Sequence, residues 1–229
     1  MTEQATTVMP YWPEVFDVAD QQQSKEIILD GEGPGAETNT RWQRETPYVL
    51  ELVRQAFPLG PDTVVLDYGC GIGRMAKAMI EAAACSVIGV DISPSMRLAV
   101  DYVGSDRFLA VSPAQYDIVL GAGLRVTAAI AVWVLQHCFA PADDIARIRR
   151  GLVADGPLFV LNMPKRAVPA AMDKPTPKQR VVWASDGVDI ADLLRSAFRL
   201  LAEGVPDPSR TPNMADAGAF WMVLRAAGG

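Results

Sequence analysis

Histidine and cysteine are scarce in this chain: one histidine, His137, and three cysteines, Cys70, Cys85 and Cys138, occur in 229 residues. The cysteines are odd in number and lack metal spacing, so neither a disulfide framework nor a zinc module organises the fold, and a reducing compartment is the simpler inference. The start of the chain is polar and acidic, with no basic segment leading into an apolar one, so no secretion signal is expected. The longest apolar run, Ile118 to Gln136, is broken by Gly121, Gly123 and a central Arg125. Inserting that arginine at mid-bilayer costs roughly 2.5–3.5 kcal/mol, so a helix end, a turn and a buried strand explain the run better than a membrane span. A soluble, cytoplasmic protein without a membrane partner is expected. The formal net charge of −6 repels phosphate backbones, which disfavours nucleic acid as a partner. The densest basic cluster, Arg147, Arg149 and Arg150, reads as the solvated face of a helix. No internal repeat or low-complexity segment is evident.

Half of the residues are apolar and 21% are charged, the balance of an ordinary globular protein. The length fits one α/β domain with a small appended cap. Residues 1–44 read as that cap or lid, with Gly31, Gly33, Pro34 and Gly35 marking a loop. The core domain reads as 45–229, its first helix starting at Thr46-Pro47 with threonine as cap and proline in the first turn. Strands are then expected at Val64–Asp67, Ser86–Asp91, Arg107–Val111, Val126–Trp133 and Pro157–Asn162. Helices alternate with them: Arg74–Ala84, Ser93 to about Val103, Ser112 to about Gly123, and Asp143–Val153. This alternation indicates a parallel sheet with right-handed crossovers, and the all-apolar fourth strand indicates helices on both faces. Pro164 to Lys178 is proline-rich and reads as a loop, part of a lid-like insertion near 164–185. A helix near Asp189–Ser196 and two strands, Phe198–Ala202 and Phe220–Arg225, complete the chain, the last pair as an antiparallel hairpin at the sheet edge.

The most informative run is Val64-Val65-Leu66-Asp67-Tyr68-Gly69-Cys70-Gly71-Ile72-Gly73-Arg74. It reads as a strand tipped by an acid, then glycines at alternate positions, then a helix. Bare backbone there can approach a ligand closely. Two cofactors compete for such a loop. Gly71-Ile72-Gly73-Arg74-Met75-Ala76 satisfies the G-x-G-x-x-A dinucleotide fingerprint, with Asp91 ending the next strand to hold ribose hydroxyls. A pyrophosphate directly after the strand makes an acid at the tip unwelcome, however. Asp67 suits a ligand with a cationic amino group.

The whole run resembles the first motif of class I S-adenosylmethionine-dependent methyltransferases, a strand followed by D-x-G-x-G-x-G. Val87-Ile88-Gly89-Val90-Asp91 resembles their second motif. Trp133-Val134-Leu135-Gln136-His137 and Gly151…Gly156-Pro157-Leu158-Phe159 resemble their fourth-strand and fifth-strand signatures. The resemblance covers residues 45–163. It implies an α/β, Rossmann-like fold: a seven-stranded mostly parallel sheet with helices on both faces and an antiparallel last strand. It also implies S-adenosylmethionine as cofactor and transfer of its methyl group. Gly69, Cys70, Gly71 and Gly73 would pass under the methionyl and ribose portions, and Asp67 would lie near the methionyl amino group. Asp91 would accept from the ribose hydroxyls and Ile92 would pack on the adenine. Val111 and Ser112 would border the adenine edge, and Trp133 and Val134 would lie under the sulfonium side. Arg41 or Trp42 would close over the methionyl carboxylate. Two departures stand out: Ser112 where many relatives place an acid or asparagine, and Thr127 where many place an acid. Plainer roles remain open: a turn cap for Asp67, a helix-cap neighbour for Asp91, filler for Cys70, packing for Trp42.

The acceptor is less legible. Methyl transfer needs a general base only where the acceptor must lose a proton. His137, just beyond the fourth strand, is the candidate base, or else a capping residue. Asn162 and Lys165 are candidates for touching the acceptor or for sitting in a loop, and Tyr11, Trp12, Trp42 and Trp183 fall in segments expected to form a lid. No N/D-P-P-Y/F motif follows the fourth strand, which disfavours exocyclic adenine or glutamine N-methylation, and no Pro-Cys nucleophile occurs, which disfavours attack on a pyrimidine ring carbon. Of the clustered acids and asparagine that the metal-assisted type needs near the fourth and fifth strands only Asn162 is present, so no metal is expected. A small or medium acceptor methylated on O, N or C remains. An NAD-dependent oxidoreductase and a catalytically silent binding protein are the alternatives.

Overall fold

The computed structural model describes residues 11–29, 37–170 and 182–226. The expected glycine loop at 31–35 and most of the proline-rich stretch, 171–178, lie outside them. Five strands run parallel in the order β3 (Phe108–Val111), β2 (Ser86–Val90), β1 (Val64–Tyr68), β4 (Ala128–Val132) and β5 (Pro157–Asn162). β9 (Phe220–Arg225) joins β5 antiparallel, and β8 (Arg199–Gly204) closes the far edge against it. The expected seven-stranded, mostly parallel sheet is therefore present.

Alternating side chains leave the strands on opposite faces, so each face buries its own core. Leu66, Tyr68, Ile88, Val90, Ala129, Ala131, Leu158 and Val160 pack against α5 (Pro113–Gly121), α6 (Pro141–Gly151) and α7 (Ile190–Ala197). Val65, Val87, Ala128, Ile130, Phe159 and Leu161 pack against α2 (Thr38–Ala56), α3 (Arg74–Ala83) and α8 (Pro212–Asp216). Two of these helices start where cap chemistry says they should. Ser112 and Gln115 form a reciprocal capping box at α5, and the Asp189 carboxylate accepts the Asp192 amide at 3.1 Å to start α7.

The first core helix departs from expectation. α2 begins at Thr38, eight residues before Thr46, and carries Pro47 in its interior. Proline there removes one helical donor, but the preceding turns are held by other means. Arg41 Nε meets Glu45 Oε1 at 2.7 Å, the Thr46 hydroxyl donates to the Trp42 carbonyl at 2.5 Å, and Arg41, Trp42 and Glu45 are all buried. The 44/45 boundary thus falls within a single helix. Before it, a 3₁₀ turn at Pro13–Phe16 and α1 (Gln21–Ile28) form a cap. The region beyond β5 is more ordered at its ends than a loop: β6 (Val168–Ala170) pairs antiparallel with β7 (Val182–Ala184). The fourth helix region is likewise shorter than expected, α4 (Pro94–Leu98) followed by a 3₁₀ turn at Ala99–Tyr102. No helix among the described residues is long and apolar enough to cross a membrane.

Phe159 lies on β5, between β4 and β9, and is fully buried. Phe159→Ala should cost about 3–5 kcal/mol of unfolding free energy, read as a lowered urea midpoint; a shift under a third of that would show this face to be loosely packed.

Candidate active site

One cavity of about 780 Å³ opens at the carboxyl ends of β1, β2 and β4. The parallel register sets Asp67 beside Gly89 and Ile130, so the ends of three strands meet there. The cap roofs the cavity and is clasped at two points. The Trp12 amide donates to the Pro169 carbonyl at 2.8 Å, and the Val18 amide donates to Ser95 Oγ at 2.8 Å.

The glycine loop forms the floor. Gly69, Gly71 and Gly73 all have positive φ, and a Cβ on Gly69 would lie 2.2 Å from Val134 Cγ2. No side chain fits between the β1 tip and the β4 loop. Cys70 also lines the cavity and packs its sulfur against Gly89, where an added Cβ would come within 2.6 Å. It is a filler, and burial pushes its thiol pKa up. Asp91 ties the two loops together, its Oδ2 accepting the Gly71 amide and its Oδ1 the Ser93 amide, each at 2.9 Å. Burial raises the Asp91 pKa while these two amides pull against it. Each carboxylate oxygen keeps a lone pair for a further donor.

Asp67 is 2% exposed, and one of its oxygens, Oδ2, has no partner among the described residues. The Ala76 amide at the start of α3 supplies one hydrogen bond, so the cap role is present but incomplete. Burial, then the nearby Asp91, raises its pKa from 3.8 to about 7 against that hydrogen bond and Arg74. Arg74 is the complementary group, and the sequence reading missed it. It is 3% exposed, and both terminal nitrogens, Nη1 and Nη2, lack partners among the described residues. Its Nε donates to Thr46 Oγ1 at 2.8 Å and its guanidinium lies 5.1 Å from the Trp42 ring centroid. Burial lowers its pKa to about 10, with Glu45 opposing. The only sequence signal for Arg74 was its place directly after the last glycine. Arg41 lines the cavity; Trp42 does not line it and instead supports Arg74 and donates to the Tyr102 hydroxyl at 3.1 Å.

Ile92, Trp133 and Val134 also line the cavity. Trp133 holds φ +59, a strained conformation for a bulky residue, and its buried Nε1 has no partner among the described residues. Val111 and Ser112 do not line it. The Val111 carbonyl accepts the Asp91 amide and Ser112 is committed to the α5 capping box; Pro113 reaches the wall instead.

Beyond the glycine loop the wall is aromatic. Phe16, His137 and Trp183 form a row with centroids 6.2 and 4.5 Å apart, and Tyr11 meets Phe139 at 5.1 Å. His137 is engaged at both nitrogens, Nδ1 with the Ala167 carbonyl at 2.7 Å and Nε2 with Gln136 Nε2 at 3.1 Å. Burial lowers its pKa to about 4, so it is neutral at pH 7 with its lone pair already hydrogen-bonded. Asn162 and Lys165 stay off the wall: Asn162 is buried behind Gln136, and Lys165 pairs with Asp189 at 2.9 Å. Arg147 is not the solvated residue expected. It lines the cavity, bonding Tyr68, Asp144 and Asp117 at 2.7–3.0 Å. Arg166, unremarked in the sequence, is buried and joins the Cys138 and Phe139 carbonyls to Asp186. Among the described residues no group of three or more His, Cys, Asp or Glu could hold a metal ion.

A sequence model of the methyltransferase domain matches residues 41–197. A ribosomal protein L11 methyltransferase of Vibrio vulnificus is 30% identical over 146 residues, covering 64% of this chain and 45% of that protein. The chain spans less than half the length of the curated relatives it matches. Among solved structures, an S-adenosylmethionine-dependent methyltransferase from Aquifex aeolicus superposes with a TM-score of 0.59 at 13% identity, covering 92% of this chain and all of that one. The [4+2]-cyclase SpnF superposes at 0.58 with 17% identity over 98% of this chain and 88% of its own. At those identities the two structures show a shared fold alone.

The raised Asp67 pKa has a defined sign. A buried carboxyl that holds its proton contributes stability that is present below pH 3.8 and lost as pH rises through about 7. Ligand-free Asp67→Asn should therefore melt at a higher temperature than the unsubstituted protein at pH 8, with the gap closing at pH 5. Equal melting at both pH values would mean Asp67 is ionised and satisfied without a ligand.

Proposed function

The chain belongs to the class I S-adenosylmethionine-dependent methyltransferase family, and from that premise we propose that it transfers the cofactor's methyl group to a small or medium acceptor, on O, N or C, without a metal. The observation that carries the reading is the pair of buried, half-satisfied charges across the glycine loop, Asp67 and Arg74. An amino acid zwitterion is the complement of that pair. Asp67 would take the methionyl ammonium, and Arg74, with Arg41 nearby on the wall, would take the carboxylate. Asp91 would hold the ribose hydroxyls with its remaining lone pairs, Ile92 would cover the adenine, and Gly69, Gly71 and Gly73 would leave room for the chain between. A dinucleotide has no ammonium to offer Asp67, and that disfavours the oxidoreductase reading.

When bound, S-adenosylmethionine supplies a methyl group on a cationic sulfur. The remaining demands fall on the chain. The acceptor must be aligned with that carbon and water kept out. The aromatic row of Phe16, His137 and Trp183, under the clasped cap, suits both tasks for a compact acceptor. His137 is an orienting residue in this scheme rather than a base, because its free electron pair is already occupied. A protein side chain is the second acceptor reading, supported by the name of the curated relatives.

Calorimetry with S-adenosylhomocysteine tests the cofactor half. Arg74→Met should weaken binding roughly 10- to 100-fold, the worth of charge-assisted hydrogen bonds to one carboxylate. Absence of binding to the folded wild-type protein would sink the reading. The acceptor half is tested by release of S-adenosylhomocysteine with a panel of small phenols and amines, beside ribosomal protein L11. Turnover with the protein alone would shift the assignment to the second reading.

A further inference from the structure

Gln136 is a buried polar residue to which neither the motif reading nor the cofactor assigns a task. It sits in the 3₁₀ turn Leu135–His137 beyond β4, lines the cavity and is 2% exposed. Its backbone is fixed on both sides: the amide meets Asn162 Oδ1 at 3.4 Å and the carbonyl accepts the Ala167 amide at 2.7 Å. Its side-chain orientation follows from a chain of donors and acceptors. The Ala167 carbonyl can only accept, so the His137 Nδ1 that faces it at 2.7 Å carries the proton. In a neutral imidazole that leaves Nε2 as an acceptor. The Gln136 atom 3.1 Å from Nε2 must then be the amide nitrogen, donating. The Gln136 carbonyl oxygen, Oε1, is thereby turned away from the histidine, and it has no partner among the described residues. A buried amide carbonyl left without a donor is costly.

We propose that Gln136 Oε1 reads the methyl acceptor, and that the acceptor is a planar aromatic or heteroaromatic molecule presenting a hydroxyl or N–H to it. This rests on the methyltransferase reading of the cavity and extends it to the acceptor's chemistry. The planar body is called for by the wall around Gln136, where Phe16, His137 and Trp183 stand in a row and Tyr11 meets Phe139. The hydrogen-bond donor is called for by Oε1, which can accept and cannot donate. A carboxylate or an ether at that point would set two acceptors against each other. His137 is a positioning residue here. It holds the amide so that the carbonyl, and not the NH₂ group, faces the acceptor.

Two measurements test this on the 229-residue chain. His137 is the only histidine in the chain, so a long-range ¹H–¹⁵N spectrum reports on it alone. The neutral Nδ1–H form at pH 7 is expected; the Nε2–H form or an imidazolium would reverse the amide and overturn the proposal. The second measurement compares phenol with anisole, which lacks the donor, by ligand-observed NMR in excess S-adenosylhomocysteine. Phenol should bind roughly five- to tenfold tighter to the wild-type protein, and Gln136→Leu should erase that preference. Equal binding, no binding of either probe, or a preference that survives the substitution would overturn it. Calorimetry of S-adenosylhomocysteine on the same sample separates the two levels. If it fails to bind, the methyltransferase reading falls, while the tautomer and the phenol preference still decide the role of Gln136.

Discussion

The arrangement of the site depends on one electrostatic tension, a carboxyl group buried at the tip of β1 with one of its two oxygens unpartnered among the described residues. Asp67 comes to the end of β1 because the strand's apolar pattern and parallel neighbours leave it there, beside Gly89 and Ile130. The following glycines let the chain turn under Val134, so no side chain is available to satisfy the second oxygen. Arg74 is buried a few residues later, with its terminal nitrogens equally unmet. Two opposite charges kept apart and incompletely paired are unfavourable in the empty protein and complementary to a zwitterion. Stability has been given up where binding is required.

The second organising feature is the cap. Two backbone amides, those of Trp12 and Val18, attach it to opposite sides of the cavity. The aromatic row it completes with His137 and Trp183 lines one part of the cavity, whereas the glycine-loop end carries Asp67, Asp91 and Arg74. Arg147, Asp144 and Tyr68 add a bonded polar cluster to the wall. Two further buried polar atoms, Gln136 Oε1 and Trp133 Nε1, have no partner among the described residues.

Much of the fold was legible in the amino-acid sequence. Strand and helix periodicities gave the five parallel strands and their crossovers within a few residues, and the paired strands at the end of the chain were expected in the antiparallel sense they adopt. The start of α2 was misjudged because Thr46-Pro47 carries a strong local signature for a helix start. Buried Arg41, Trp42 and Glu45, with the Thr46 hydroxyl on the Trp42 carbonyl, outweigh that local preference. At Ser112 local chemistry is directly visible: its side chain forms the reciprocal capping box with Gln115 that starts α5.

The amino-acid sequence by itself determined the sheet, the glycine floor and the acids at the tips of β1 and β2, since each follows from short-range periodicity or from glycine's access to positive φ. It thereby determined the kind of cofactor. Only the tertiary structure decided which groups are left unsatisfied. Arg74 keeps two unpartnered terminal nitrogens where it is buried against Trp42, and His137 is tied to Gln136 and to the carbonyl of Ala167, thirty residues away in the chain. Satisfaction of a polar atom is a property of all its neighbours at once, and those neighbours meet only when the chain is folded.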